Sequence, residues 1–277
     1  MVEPALHSVA GFRLVTADLL RLTRFYVDVL GFAADGPPVR IGADEMALLE
    51  LSGSGQRQFL RLGEQTVALE AFEVPGAPYP AQGNAASLWF QHLALVVDDI
   101  AIAHMRLRSV CAITDGGPQH LPPSSGGVSA FKFRDPDGHP LELLQFPVDG
   151  TPPAWRGKPA LPGQIGLGID HSAVSVSDVD ASTAFYARFG LGTGKRSCNK
   201  GAEQQRLDGL RDVRVVVAPM QPSRTPPHLE LLGYQVPRGE AGPPLRANDV
   251  AATRVVWIGG QPALLRDPDG HLHQIET

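Results

Sequence analysis

The hexapeptide RDPDGH stands at Arg134–His139 and again at Arg266–His271, 132 residues apart. The first copy runs directly into PLELLQF, Pro140–Phe146, an apolar run interrupted by the single acid Glu142. Asp-Pro-Asp-Gly is turn chemistry, since proline presets one backbone angle and glycine accepts a positive φ. Each copy therefore reads as a turn that feeds a strand, with His139 and His271 expected to be exposed turn residues. A second pair, FYVDVLGF from Phe25 and FYARFGLG from Phe185, is offset by 160. Val74-Pro75 recurs as Val236-Pro237 and Asn84 as Asn248, so the offset holds to that point. Its drop to 132 places a loss of roughly 30 residues between Asn248 and Arg266. The first-half counterpart of the lost stretch holds a helix-like run, Ile100–Val110, and a Gly/Pro-rich loop, Thr114–Ser129, suited to cover a pocket.

A finer repeat lies inside each half. Gly11-FRLVTA-Asp18, His92-LALVVD-Asp99 and His171-SAVSVS-Asp178 share a short alternating run followed by Asp seven residues on. Alternation at period two predicts a strand. The Asp is a good N-cap for a following helix, and Gly31 and Gly190 sit where such helices end. Further strands are expected over Thr66–Phe72, Ala130–Phe133, Leu141–Phe146, Val213–Ala218 and Leu229–Tyr234. The pattern is strand, helix, then about three strands, given three times and followed by a fragment. A Pro/Gly-rich stretch without periodicity, residues 147–168, divides residues 1–146 from 169–277 as a linker.

Bulk properties narrow the class of function. The 277 residues are 43 % hydrophobic and 19 % charged, with a formal net charge of −5. That balance points away from nucleic acid and anionic membranes. No apolar run approaches the roughly 18 residues of a spanning helix, and MVEPALHSVAGFRL lacks the form of a signal peptide. Cys111 and Cys198 cannot make a disulfide framework and fit free thiols of a reducing cytoplasm. A cytoplasmic protein that handles a small molecule is the expectation.

Four residues with metal-ligand chemistry stand at repeated positions. His92 and His171 each open an HxAxxVxD strand, and Glu142 and Glu230 each sit within Leu-Glu-Leu-Leu. On a strand such a glutamate lies on the face opposite its leucines, and a buried carboxylate is costly unless paired or bound to a cation. Singly, these are ordinary structural residues; their recurrence in register makes them candidates. The pairs Phe25-Tyr26 and Phe185-Tyr186, and His104, lie on helices as packing residues. Arg13, two residues after Gly11, is either an ordinary surface arginine or points where an anionic substrate would bind.

These residues, the FY helices and the DPDGH turn before an LEL strand resemble the vicinal-oxygen-chelate superfamily of glyoxalases, bleomycin-resistance proteins and extradiol dioxygenases. The resemblance covers roughly residues 8–146 and 169–277 and implies an α+β fold. In it, tandem βαβββ modules pair into cupped mixed β-sheets with helices outside. Each module of the family offers one ligand from its first strand and one from its last. Those positions fall on Gly11 and Ala68, on His92 and Glu142, on His171 and Glu230, and in the short fourth module on Arg254 and Gln274. Pairing modules within each half gives two incomplete sites. Crossed pairing of the second with the third, as in glyoxalase I, unites His92, Glu142, His171 and Glu230. A linker of about 20 residues spans on the order of 60 Å, so connectivity permits either. The crossed arrangement leaves Gly11, Ala68, Arg254 and Gln274 as a degenerate second site, with Arg254 supplying the charge of a lost cation.

The resemblance implies one divalent metal ion (Zn, Ni, Co, Mn or Fe(II)) held by His92, Glu142, His171 and Glu230. The favoured activity is a glyoxalase-like lyase or isomerase acting on a small oxygenated substrate. The metal would stabilise an enediolate, and Glu142 or Glu230 would serve as the catalytic base. The alternatives are an extradiol-type dioxygenase using Fe(II) and a metal-free binding or resistance protein. A small-molecule substrate is expected, with no nucleic-acid or membrane partner. A sheet edge left by the short fourth module would favour a homodimer.

Overall fold

A computed structural model describes residues 5–107 and 109–277. Residues 1–4, on which the signal-peptide reading partly rests, and Arg108, inside the expected helix Ile100–Val110, lie outside the described residues. The first module comprises β1 (Ser8–Val15), α1 (Leu19–Arg24, continued by a π-helical turn at Phe25–Val29), β2 (Ala33–Ala34), β3 (Val39–Arg40), α2 (Ala43–Leu48), β4 (Gly55–Leu62) and β5 (Gln65–Phe72). The second comprises β6 (Gln91–Val96), α3 (Ile100–Arg106), β7 (Cys111–Ala112), β8 (Gln119–His120), β9 (Ser129–Arg134) and β10 (Pro140–Gln145). The third comprises β11 (Gly168–Ser175), α4 (Val179–Arg188), β12 (Gly192–Thr193), β13 (Ser197–Lys200), α5 (Ala202–Asp208), β14 (Arg214–Gln221) and β15 (His228–Val236). The fourth keeps only β16 (Arg254–Ile258), β17 (Ala263–Arg266) and β18 (Leu272–Glu276).

The aspartates that close the repeated strands do cap helices. Asp18 accepts from the Arg21 amide, Asp99 from Ile102, and Asp178 from Asp180 and Ala181. Each satisfies amides that the first helical turn leaves open.

The modules pair crosswise. One sheet runs β17-β18-β16-β1-β5-β4-β2, and the other runs β12-β14-β15-β11-β6-β10-β9-β7. β6 joins β11 antiparallel, and β1 joins β16 in the same way. Each sheet thus takes one module from either side of the 147–168 segment. β11 begins at its last residue, Gly168; before that the segment holds no strand, yet Trp155 within it is buried. Leu93, Leu95, Leu141, Leu143, Leu229 and Leu231 of one sheet and Phe12, Leu14, Leu69 and Trp257 of the other enter a single core with α1, α3 and α4. The fold is α+β, built of two mixed sheets with few helices.

The DPDGH histidines are not exposed: His139 and His271 are 1 % and 2 % accessible. The turn is held from within, and that draws the imidazole inward. Asp135 Oδ1 accepts the amides of Asp137 and His139, while its Oδ2 lies 2.8 Å from His139 Nδ1. Asp267 Oδ1 accepts the corresponding amides of Asp269 and His271. The FY tyrosines complete both turns, Tyr26 donating to Asp135 at 3.2 Å and Tyr186 to Asp267 at 2.9 Å. Beyond packing, these phenols tie the first module to the second and the third to the fourth.

Candidate metal centre

β6, β10, β11 and β15 lie at the middle of one sheet, and their register decides which side chains share a face. Ala94 stands opposite both Glu142 and His171, and Ala173 stands opposite both His92 and Glu230. Opposed residues share a face, as do residues two apart on one strand. His92, Glu142, His171 and Glu230 therefore emerge together on the face away from the leucines of the core.

They form the floor of a cavity of about 430 Å³. Its walls include Leu144, Val215, Val217 and Leu232, with Leu121, Pro123 and Val128 of the Gly/Pro-rich loop above them. Lys195, Arg196, Ser197 and Asn199 also line it, while Cys198 and Lys200 are exposed. The loop Thr114–Ser129 covers a pocket, as its composition allowed.

His92, Glu142 and His171 each offer a donor atom within 4.8 Å of the other two. His92 Nε2 lies 2.9 Å from Glu142 Oε2. His171 Nε2 faces two carboxylates, Glu142 Oε2 at 3.8 Å and Glu230 Oε2 at 3.5 Å. The other nitrogen of His171 lies 3.0 Å from Asp170 Oδ2. Asp170 Oδ1 in turn accepts the Trp155 indole N–H at 2.7 Å. Glu142 and His171 are almost fully buried, whereas the Glu230 side chain keeps 20 % of its surface open.

The charges interlock. Burial would raise the Glu142 carboxyl, but His92, Lys132 and His171 outweigh it and hold it at about 2. Burial likewise opposes ionisation of Glu230, and His171 and His228 bring it to about 2. Burial would lower His171, yet Glu230, Asp170 and Glu142 raise it to about 9. His92 is pushed down, chiefly by burial. The arrangement thus places a proton on His171 between two carboxylates, where a metal cation accepting lone pairs from the same imidazole and carboxylate atoms would fit equally well. His92 Nδ1 is buried without a hydrogen-bond partner among the described residues, consistent with a ring whose Nε2 is meant for another charge. Two imidazoles and two carboxylates suit a divalent first-row metal. The residues present fit such an ion.

Sequence reasoning missed several neighbours. His228 opposes His171 across β15 and lies 3.6 Å from Glu230 Oε1; its place two residues before Glu230 was the available signal. Asp170 reaches the site through a register shift between Ile169 and His171, which strict alternation does not anticipate. Lys132, opposite Glu142 on β9, is buried and paired at 2.6 Å with Asp208 of α5.

The equivalent face of the other sheet is filled. Arg254 and Gln274 hold the places of His171 and Glu230, since Arg254 precedes Val256 by two and Val256 pairs with Gln274. Gly11 has no room for a side chain, because a Cβ there would lie 2.7 Å from the Thr66 carbonyl oxygen. Arg254 is fully buried, paired with Glu70, and donates to the Ala247 carbonyl at 2.6 Å. Arg13, 5 % accessible, is no surface residue: it meets Glu276 at 3.1 Å and Glu70 at 3.6 Å. Arg57 pairs with Glu70 and Glu45. Three arginines face three glutamates, with Ile41, Met46 and Leu272 packed into an apolar cluster beside them.

Comparison with known proteins agrees with this architecture. The family model described as the glyoxalase/bleomycin resistance protein/dioxygenase superfamily matches residues 6–143. The fold is similar to glyoxalase I from Zea mays, at 14 % identity and TM-score 0.58, covering 98 % of this chain and 92 % of that one. It is also similar to a putative dioxygenase from Bacillus subtilis subsp. subtilis str. 168, at 12 % identity and TM-score 0.59, with 98 % and 85 % covered. At such identities the likeness speaks to fold alone. No curated protein matches the sequence. No helix among the described residues is long and apolar enough to cross a membrane.

Proposed function

Because the chain belongs to the glyoxalase/bleomycin resistance protein/dioxygenase superfamily, we propose that it is a metal-dependent lyase or isomerase moving a proton on a carbon next to a carbonyl. The observation that carries this reading is the convergence of His92, Glu142, His171 and Glu230 on the floor of one cavity. His92, Glu142 and His171 would hold the ion, with Glu230 beside them as a fourth donor that can leave it to act as base. A divalent ion there supplies Lewis-acid stabilisation of negative charge developing on substrate oxygens.

The chain's own residues do the rest. Glu230 is the better placed base of the two carboxylates, being open to the cavity and outside the tightest donor set. It takes the proton from the carbon beside the carbonyl and returns it to the neighbouring carbon or the same one. Glu142, buried against His92 and Lys132, is held in place and stays a ligand. Leu144, Val217 and Leu232 exclude water around the reacting atoms. Lys195 at the mouth favours an anionic substrate.

The test is deuterium uptake. Protein reconstituted with Ni, Co or Zn is incubated in D2O with 2-oxoaldehyde adducts and epimerisable 2-hydroxy or 2-methyl acids. Carbon-bound deuterium should appear with wild type and fall by 10²- to 10⁴-fold in Glu230→Gln. No uptake across the panel in metal-loaded protein counts against the reading.

One observation favours a second reading, ring cleavage of a diol with Fe(II). The tightest donor set, His92, Glu142 and His171, is two imidazoles and one carboxylate, the arrangement of non-haem Fe(II) oxygenases. Oxygen consumption with catechols, dependent on Fe(II), separates it from the first.

A further inference from the structure

We infer that Asp170 is a positioning residue for His171 and that Trp155, from the segment between the two halves, holds Asp170 in that role. The inference rests on the proposed metal site. Trp155 Nε1 donates to Asp170 Oδ1 at 2.7 Å, and His171 Nδ1 lies 3.0 Å from Asp170 Oδ2. Both carboxylate oxygens are thus engaged, and Asp170 and Trp155 are only 8 % and 3 % accessible. An ionised carboxylate accepts but cannot donate, so Nδ1 carries the proton and Nε2 is the nitrogen left to ligate. Nε2 is also the one that faces Glu142 and Glu230.

The backbone is shaped for this contact. Without the register shift between Ile169 and His171, successive side chains would leave on opposite faces and Asp170 could not reach the ring of its neighbour. Gly168, just before, leaves no room for a Cβ, which would lie 2.9 Å from the Trp155 ring and 2.1 Å from Gln65 Oε1. The two histidines of the site differ in this respect. His92 Nδ1 has no partner among the described residues, so His171 is the preorganised ligand and His92 the adaptable one. The 147–168 segment therefore reaches into the site through one indole N–H.

The test measures metal affinity rather than turnover. Zn(II) affinity is read by competition with a chromophoric chelator, and the Co(II) absorption spectrum reports ligand geometry. The proteins are wild type, Asp170→Ala, Asp170→Asn and Trp155→Phe. Loss of an outer partner of a ligating histidine costs about 10- to 100-fold in affinity. Asp170→Ala should show that loss with an altered Co(II) spectrum. Asp170→Asn, which keeps an acceptor oxygen, should fall between it and wild type. Trp155→Phe, which keeps an aromatic ring but loses the indole donor, should weaken Zn(II) in the same direction by less, with a Co(II) spectrum shifted in the same sense. Wild-type affinity in both Asp170→Ala and Trp155→Phe overturns the inference while leaving the metal site standing. No binding by wild type itself overturns the site, and the inference with it.

Discussion

Arg254 occupies in one sheet the register position that His171 occupies in the other. Each lies two residues before the residue that pairs with the last-strand counterpart, Gln274 for Arg254 and Glu230 for His171. His171 looks into a cavity, whereas Arg254 is fully buried with its guanidinium on Glu70. One chain thus carries the same frame twice, once with convergent imidazoles and carboxylates and once closed by ion pairs.

The closed frame should behave as a structural element. Arg254→Met removes one of the cations around Glu70, which is 0 % accessible. Breaking a buried pair by deleting one partner costs about 3–5 kcal/mol, and Arg57, still beside Glu70, should keep the cost at the lower end. Urea denaturation should show the loss, while the metal content stays at the wild-type value. Placing a histidine at position 11 should fail to make a second site, because Gly11 abuts the Thr66 carbonyl.

Lys132 and Asp208 offer a second test of buried charge. Lys132 projects from β9 beside Glu142, and its partner Asp208 also accepts from Gln204 at 2.7 Å. Asp208→Ala removes the close partner of a buried ammonium, with an expected cost of about 3–5 kcal/mol that neighbouring Glu142 keeps at the lower end. Replacing both, as Lys132→Met with Asp208→Leu, should recover much of it. A double variant no more stable than Asp208→Ala would contradict the assignment.

Acid should destabilise the protein through His273. Trp257 donates to its Nδ1 at 3.0 Å, so the ring proton sits on Nε2, toward the Tyr186 hydroxyl at 2.8 Å. Burial lowers this imidazole to about 4, against an unfolded value of about 6.5. The unfolded chain therefore binds the proton first, and stability falls as pH drops from about 6.5 to about 4. The gap corresponds to about 3 kcal/mol. Denaturation curves across that window should show the slope in wild type, and His273→Gln should flatten it. An unchanged slope in the variant would assign the acid limb to other groups.

The mouth of the cavity carries a charge prediction. Lys195 lines it without a partner among the described residues, while neighbouring Arg196 is tied to Asp180 at 2.5 Å. Lys195→Glu should raise KM about tenfold for anionic substrates and leave KM for neutral ones and the metal content unaltered. Equal effects on both substrate classes would remove Lys195 from substrate recognition.

Much of this arrangement was legible in the residues themselves. The repeats gave the modules, and the uneven distribution of ligand-type residues singled out crossed pairing, which the β6–β11 and β1–β16 ladders adopt. The four candidate side chains do converge. What escaped depends on distances that sequence spacing does not encode. Asp170 enters through a bulge, His228 through register with His171, and Lys132 through α5 folding back over the sheet. Turn chemistry reads as surface, which would put the DPDGH histidines outside. The carboxylates of Asp135 and Asp267 instead gather their own loop amides and a distant tyrosine into the interior.

The most direct test of the account is metal content by mass spectrometry of wild type, His92→Ala and His171→Ala, after reconstitution with Zn, Ni, Co, Mn and Fe(II). The two histidines come from opposite sides of the 147–168 segment, so a shared site must lose its ion when either is removed. A single two-His carboxylate site should hold about one equivalent in wild type and almost none in either variant. A wild-type protein that takes up no ion, or variants that retain it, would contradict it.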